Sequence, residues 1–230
     1  MFDSSKEKAI ADLTTRLKLS DDRLKEAIRA LAPKHTDIER AEYEAANEEN
    51  LRLQRELAQL KEMPVAYPLE GVPQWDVGAP MPHVLSSGYR TILLYYVQDI
   101  DPNWDGSYVK IRSTSSEEVY RIAVVEFHHC YAYKFGGPND EVLDRHPLWN
   151  SGLEPYSAHR IENSLWIKEE MQINSVHSQF DPEHWQNRKH FLFLFHDELF
   201  ECIAGGFSVS VQSGSLVDIA QPAFTTIFAD

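Results

Sequence analysis

Nine of the ten histidines lie beyond Met63, and several stand beside carboxylates or a cysteine. In Phe127-His128-His129-Cys130-Tyr131, alternation along a strand puts His128 and Cys130 on one face, where His-x-Cys could offer two ligands to a divalent metal. The same pair also reads as a hydrogen-bonded histidine and a buried thiol of an aromatic strand. In Phe195-His196-Asp197-Glu198-Leu199-Phe200-Glu201-Cys202, a hairpin turning at Asp197-Glu198 brings His196 and Glu201 to its two ends. An imidazole beside a carboxylate has the makings of a general base, because the carboxylate fixes the tautomer and stabilises the imidazolium. The competing reading is a solvated acidic hairpin tip.

A third grouping is the stretch Gly136-Gly137-Pro138-Asn139-Asp140-Glu141, followed by Arg145-His146-Pro147-Leu148-Trp149. Long polar and aromatic loops between strands are where binding sites concentrate. Asn139, Asp140, Arg145 and His146 could fix a polar ligand against Trp149 as an apolar wall. They serve equally well as turn formers and a rim salt bridge. Both histidines flank turn-rich loops beside acids, so the sequence predicts His146 and His196 on the rim of one cavity, with Asn139, Asp140 and Glu201 nearby.

The elements that must position these groups follow a break in composition. No glycine or tryptophan precedes Gly71 and Trp75, although the chain holds ten and five of them. Residues 1–63 are charged and periodic, as exposed helices are. Residues 64–87, with Pro64, Pro68, Pro73, Pro80 and Pro82, read as a linker or wrapping arm anchored by Trp75. Residues 88–230 are aromatic and β-branched, with candidate strands over Arg90–Val97, Tyr108–Arg112, Val119–Phe135, Ser157–Trp166, His190–His196, Leu199–Ala204 and Phe207–Gln212. Asp181-Pro182-Glu183 opens a short helix. The predicted fold class is α+β: an N-terminal helical segment with a short coiled-coil seam, then an antiparallel sandwich or barrel-like domain.

The helical segment divides in prediction into three. One helix carries Ile10, Leu13 and Leu17; a second opens at Ser20-Asp21-Asp22 and ends near Pro33; a third opens at Thr36 with Glu39 in a capping box. In the third, Tyr43, Ala46, Asn50, Leu53, Leu57 and Leu60 follow the 3-4 spacing of a heptad seam. Asn50 at a core position favours a two-stranded homo-oligomer, while a seam of about two and a half heptads also suits packing on the protein's own body.

Net charge is −14, of which −2 belongs to residues 1–63 and −12 to the remainder. Such acidity repels phosphate backbones and anionic lipid, so neither nucleic acid nor membrane is the expected partner, and a basic protein surface is. Two cysteines and no apolar leader in the N-terminal residues imply a reduced, cytoplasmic setting. No nucleotide, zinc-protease or serine-hydrolase motif is present, and the pair His128 and Cys130 is the one hint of a cofactor, a divalent metal.

The strings GGPNDEVLDRHPLWNSGLEPYSAH, NSLWIKEE and KHFLFLFHDELFECIA resemble those of a family of uncharacterised small bacterial proteins, over roughly residues 126–204. The resemblance implies a shared domain and slightly favours the loop and the hairpin forming one site, without an activity. The expected function is an interaction or accessory protein, assembled through its N-terminal helices and binding a protein partner or small polar ligand. The alternative is a metal-binding or His/acid enzyme using His146, His196 and Glu201.

Overall fold

A computed structural model describes residues 4–34, 36–88, 90–99 and 119–228. The predicted strand Tyr108–Arg112 lies outside the described residues. Helices α1 (Ser4–Lys34) and α2 (Asp37–Leu60) are followed by β1 (Val65–Pro68), β2 (His83–Ser86), β3 (Thr91–Tyr96), β4 (Tyr120–His128), β5 (Ala132–Gly136) and β6 (Ala158–Glu162). Then come α3 (Leu165–Asn174), α4 (Pro182–Gln186), β7 (Lys189–Leu194), β8 (Leu199–Ala204), β9 (Gly206–Gly214) and α5 (Leu216–Thr226). The strands form two sheets, in the orders β1-β6-β7-β8-β5 and β2-β3-β4-β9. The chain falls into two compact units.

The first unit comprises Met1–Tyr67, Arg145–Glu154 and Ile161–Ser164. Its core is an antiparallel helical hairpin. The two helices predicted before residue 34 are one, because Ser20 does not cap a helix start; it is buried mid-helix with its hydroxyl accepting from Asn50 Nδ2 at 3.4 Å. Asn50 Nδ2 also donates to Asp21 Oδ1 at 2.7 Å, and Asn50 Oδ1 accepts from Gln54 Nε2 at 2.7 Å. A 2% exposed amide is thereby satisfied inside one chain. Ala46, Leu53 and Leu57 are buried with it, and Tyr43 and Leu60 are half-buried. The heptad seam therefore closes within the chain, the second of the two arrangements its length allows. Arg23 reinforces the pairing through Glu42 at 2.9 Å and Glu49 at 2.9 Å. Thr36 is the N-cap residue of α2, but its hydroxyl meets the Glu39 carboxylate rather than a backbone N–H.

Segment 145–154 is tied to α2 by Arg55, which donates from Nε to Ala66 O at 2.9 Å and from Nη2 to Gly152 O at 3.0 Å. Gly152 has φ +86, and a Cβ there would lie 2.4 Å from Arg55 Cγ, so only glycine fits both the turn and the contact.

The second unit comprises Pro68–Asp144, Pro155–Arg160 and Leu165–Asp230. Leu93, Tyr95, Ala123, Val125 and Phe127 of one sheet share a buried core with Phe191, Phe193, Phe200 and Cys202 of the other. Trp75, inside the Pro-rich segment, is buried there with its ring centroid 4.7 Å from that of Phe195. The segment predicted as linker contains β1 and β2. The alternate residues Ile92, Leu94, Tyr96 and Ile122 form a second core with Leu216, Ile219, Ala223 and Ile227, so both faces of β3 and β4 are covered. α5 was not anticipated: Ser215 caps it by accepting from Asp218 N at 3.2 Å, and Pro222 inside the run masks the helical pattern. Two predicted strands are shorter than expected. The stretch 119–135 breaks at His129, where φ is +52, and the stretch 157–166 ends at Glu162, after which Asn163 (φ +54) turns the chain into α3.

Candidate functional site

The predicted site residues separate by unit. Arg145, His146 and Trp149 lie in the first, and Asn139, Asp140, His196 and Glu201 in the second. His146 shapes its own turn: its Nδ1 accepts from Leu148 N at 3.2 Å and its carbonyl from Trp149 N at 2.9 Å. Asn139 similarly accepts through its carbonyl from Val142 N at 3.4 Å.

His196 sits just past β7, before the turn into β8, and pairs with Asp140 rather than Glu201. The two segments are fastened by the backbone bond Asp140 N to His196 O, 3.0 Å. That bond carries His196 Nδ1 to 3.0 Å from Asp140 Oδ2. Tyr156 donates its hydroxyl to the same carboxylate oxygen, and its ring stacks on the imidazole at 6.2 Å between centroids. The two donors hold Asp140 below its usual carboxylate range, Tyr156 first and His196 second. Asp140 in turn raises His196 above its ordinary value and pushes the Tyr156 hydroxyl up to about 12. With Nδ1 engaged, the imidazole is oriented as in an acid–base dyad, and 43% of its side chain is exposed. Tyr156 carried no signal in sequence, since Glu154-Pro155-Tyr156 reads as a turn.

Glu201 is taken up elsewhere. In the ladder it stands opposite Lys134 and Leu192. Its carboxylate lies 3.3 Å from Lys134 Nζ and 3.8 Å from His190 Nε2, while Lys134 Nζ sits 3.8 Å over the Trp166 ring. His128 and Cys130 do not act as a pair either: the turn at His129 interrupts the alternation, leaving His128 exposed and Cys130 buried. Among the described residues no group of three or more His, Cys, Asp or Glu side chains is arranged to hold a metal. Cys130 donates to Ala132 O at 3.6 Å. Its thiol is brought down to about 7, foremost by a hydrogen bond with Cys202, against burial and with help from Thr91 and Arg188. Burial holds Cys202 well above the ordinary value.

Beside Cys130 the second unit has a cavity of about 200 Å³ that sequence reasoning missed. Asp181 caps α4 by accepting from Glu183 N at 2.9 Å, Pro182 starts the helix, and Arg188 follows its end. Trp185 of α4 packs edge-on against Tyr131, with centroids 5.0 Å apart. The Arg188 guanidinium carbon lies over both rings, 4.6 Å from Tyr131 and 4.8 Å from Trp185. Its Nη2 donates to His184 Nε2 at 3.0 Å, and its Nε is buried without a hydrogen-bond partner among the described residues. Desolvation lowers its proton affinity, yet a guanidinium remains charged. The rest of the wall includes Asn174, His177, Gln179 and Phe180. The available signal was Trp185 three residues before an arginine at a helix end, but Tyr131 is remote in sequence.

No protein-family model, curated protein or solved structure matches this chain. Among the described residues no helix is long and apolar enough to cross a membrane.

Proposed function

We propose that this is an accessory binding protein whose sheet-rich unit takes a small polar ligand in the cavity beside Arg188. The observation that carries the reading is the guanidinium itself: packed beside two aromatic rings at 4.6 and 4.8 Å, lining a cavity, with a buried N–H left over. A buried donor without a partner costs about 1–3 kcal/mol, which a ligand that reaches it would relieve. The cavity combines apolar walls with a few placed polar groups, as small-ligand sites do. A thermal-shift screen of chemically diverse small polar compounds tests this. Stabilising compounds whose effect is lost in Arg188→Gln support it. A screen with no stabilising compound, or with shifts that Arg188→Gln leaves intact, refutes it.

A second reading is favoured by the 3.0 Å contact of His196 with Asp140, which gives an oriented imidazole at the surface. It would serve acid–base chemistry on a substrate docked at that rim, and a hydrolysis screen in which His196→Gln abolishes any activity found is its test.

A further inference from the structure

The geometry points to a carboxylate as the group this cavity recognises, carried by a small organic monoacid with an apolar body. The inference rests on reading the cavity as a small-ligand site, and goes on to name the ligand's class.

The charge balance of the second unit is the first argument. Arg23 is paired with Glu42 and Glu49, and Arg52 with Glu56. Among the described residues no carboxylate lies within ion-pair distance of Arg188, although the chain carries a net charge of −14. The ionisable groups that act on Arg188 are the Tyr131 hydroxyl and the Cys130 thiol. A half-buried cation with no full counter-charge is an unfavourable arrangement that an anion relieves.

Shape supplies the second argument. Tyr131 and Trp185 lie 4.6 and 4.8 Å from the guanidinium carbon and His184 takes one Nη2 N–H, so the remaining N–H edge is what the group offers a ligand. That edge is a planar fork of N–H donors, which matches the two oxygens of a carboxylate in a bidentate pair. Phe180 and Trp185 offer apolar surface for the rest of the molecule. Polar groups on the wall are already disposed for a modest ligand. Asn174 spends its amide N–H groups on the Tyr131 hydroxyl at 2.7 Å and Glu170 O at 2.8 Å, which leaves its Oδ1 as an acceptor. His177 Nδ1 accepts from Gln179 N at 3.1 Å, which leaves Nε2–H as a donor.

The third argument separates a carboxylate from a phosphate. Phosphate sites gather several cations or a run of backbone N–H groups. This wall has one arginine, and the Asp181 carboxylate stands on it too. A dianion meets that repulsion twice over; a monoanion meets it once and has its charge matched by the single guanidinium.

Intrinsic tryptophan fluorescence reports the site, because Trp185 forms part of the clamp. The full chain is titrated at constant ionic strength with sodium benzoate, with benzamide as the neutral isostere, and with inorganic phosphate. Benzoate is expected to saturate and to bind at least tenfold more tightly than benzamide or phosphate. Arg188→Gln is expected to lose tenfold or more of the benzoate affinity, and His177→Phe, which fills the cavity without touching the guanidinium clamp, a similar factor. Should Arg188→Gln fail to fold, His177→Phe decides alone, and an unchanged benzoate affinity there overturns the proposal. Benzamide or phosphate binding as well as benzoate overturns the carboxylate class and leaves the small-ligand reading standing. Absence of a saturable response to all three, together with a thermal-shift screen that finds nothing, overturns both.

Discussion

Replacing Asp140 by asparagine removes one charge and leaves the shape, so its effect should follow pH in a defined way. Asp140 raises His196 above its ordinary 6.5, and stability from the imidazolium is therefore complete below about pH 6.5 and lost as pH rises through the higher folded-state value. Asp140 itself is held below 3.8, so its contribution is complete above about pH 4 and lost as pH falls through the folded-state value. Between those limits both are present. The imidazole is 43% exposed and the carboxylate 18%, so screening keeps the ion pair to about 0.5–1 kcal/mol. The Tyr156 hydroxyl bond to the carboxylate adds about 1 kcal/mol that persists to higher pH. Asp140→Asn should thus cost about 1.5–2 kcal/mol at pH 5.5 and about 1 kcal/mol at pH 8.5 in urea denaturation. Proton NMR titration of the His196 ring should show its pKa returning toward 6.5 in the variant. A double-mutant cycle with His196→Gln isolates the pair. An unchanged His196 titration in Asp140→Asn, or a coupling that is the same at both pH values, would refute the reasoning.

Three further outcomes are expected from the packing. Gly152→Ala adds a Cβ at φ +86 and 2.4 Å from an Arg55 stem anchored by two hydrogen bonds, and should lower stability by about 2–4 kcal/mol in thermal melts; a neutral substitution would show that segment 145–154 is not held as described. Leu53→Ala should cost about 2–5 kcal/mol in denaturation, with the molar mass by light scattering the same as that of the parent chain, since Leu53 is buried within one chain. A change of mass would return the seam to an interface between chains. Phe127→Ala empties a site touching Phe191, Phe193, Phe200 and Phe207, and should cost about 3–5 kcal/mol; a loss under about 1 kcal/mol would mean the core collapses around the gap.

What the sequence conveyed well were the parts set by local chemistry. The aromatic runs at 190–196 and 199–204 are strands because consecutive bulky side chains can be buried on both faces, as Phe191, Leu192, Phe193 and Leu194 all are. Thr36 and Asp181 were legible as helix starts since their neighbours complete the pattern. What it conveyed poorly depended on distant contacts. Ser20-Asp21-Asp22 looks like a helix start, yet Asn50 takes up Ser20 and Asp21 from another helix and α1 runs through. The break at His129 has no glycine or proline to announce it. Of the site residues, Asp140 and His196 are placed near one another by the sequence, but as part of a wider group with His146 and Glu201; only the fold shows that these two, 56 residues apart, share one hydrogen bond. Arg188 was missed for the same reason, its clamp being built from Tyr131 and Trp185.

The two clusters of the second unit differ in a way that bears on function. Around Asp140 the opposite charge and the hydroxyl donor converge on one carboxylate oxygen, so the cluster fastens a loop to a hairpin end with partners the chain itself supplies. Glu201 is likewise met by Lys134 and His190. Around Arg188 the chain supplies rings and a histidine, but among the described residues no carboxylate within ion-pair distance. Desolvation there is unfavourable for the guanidinium, and the rings that cause it also hold the group in one orientation. A surface arginine kept for solubility would gain nothing from that clamp. One kept to meet a ligand would gain its orientation in advance, so that less freedom is lost on binding.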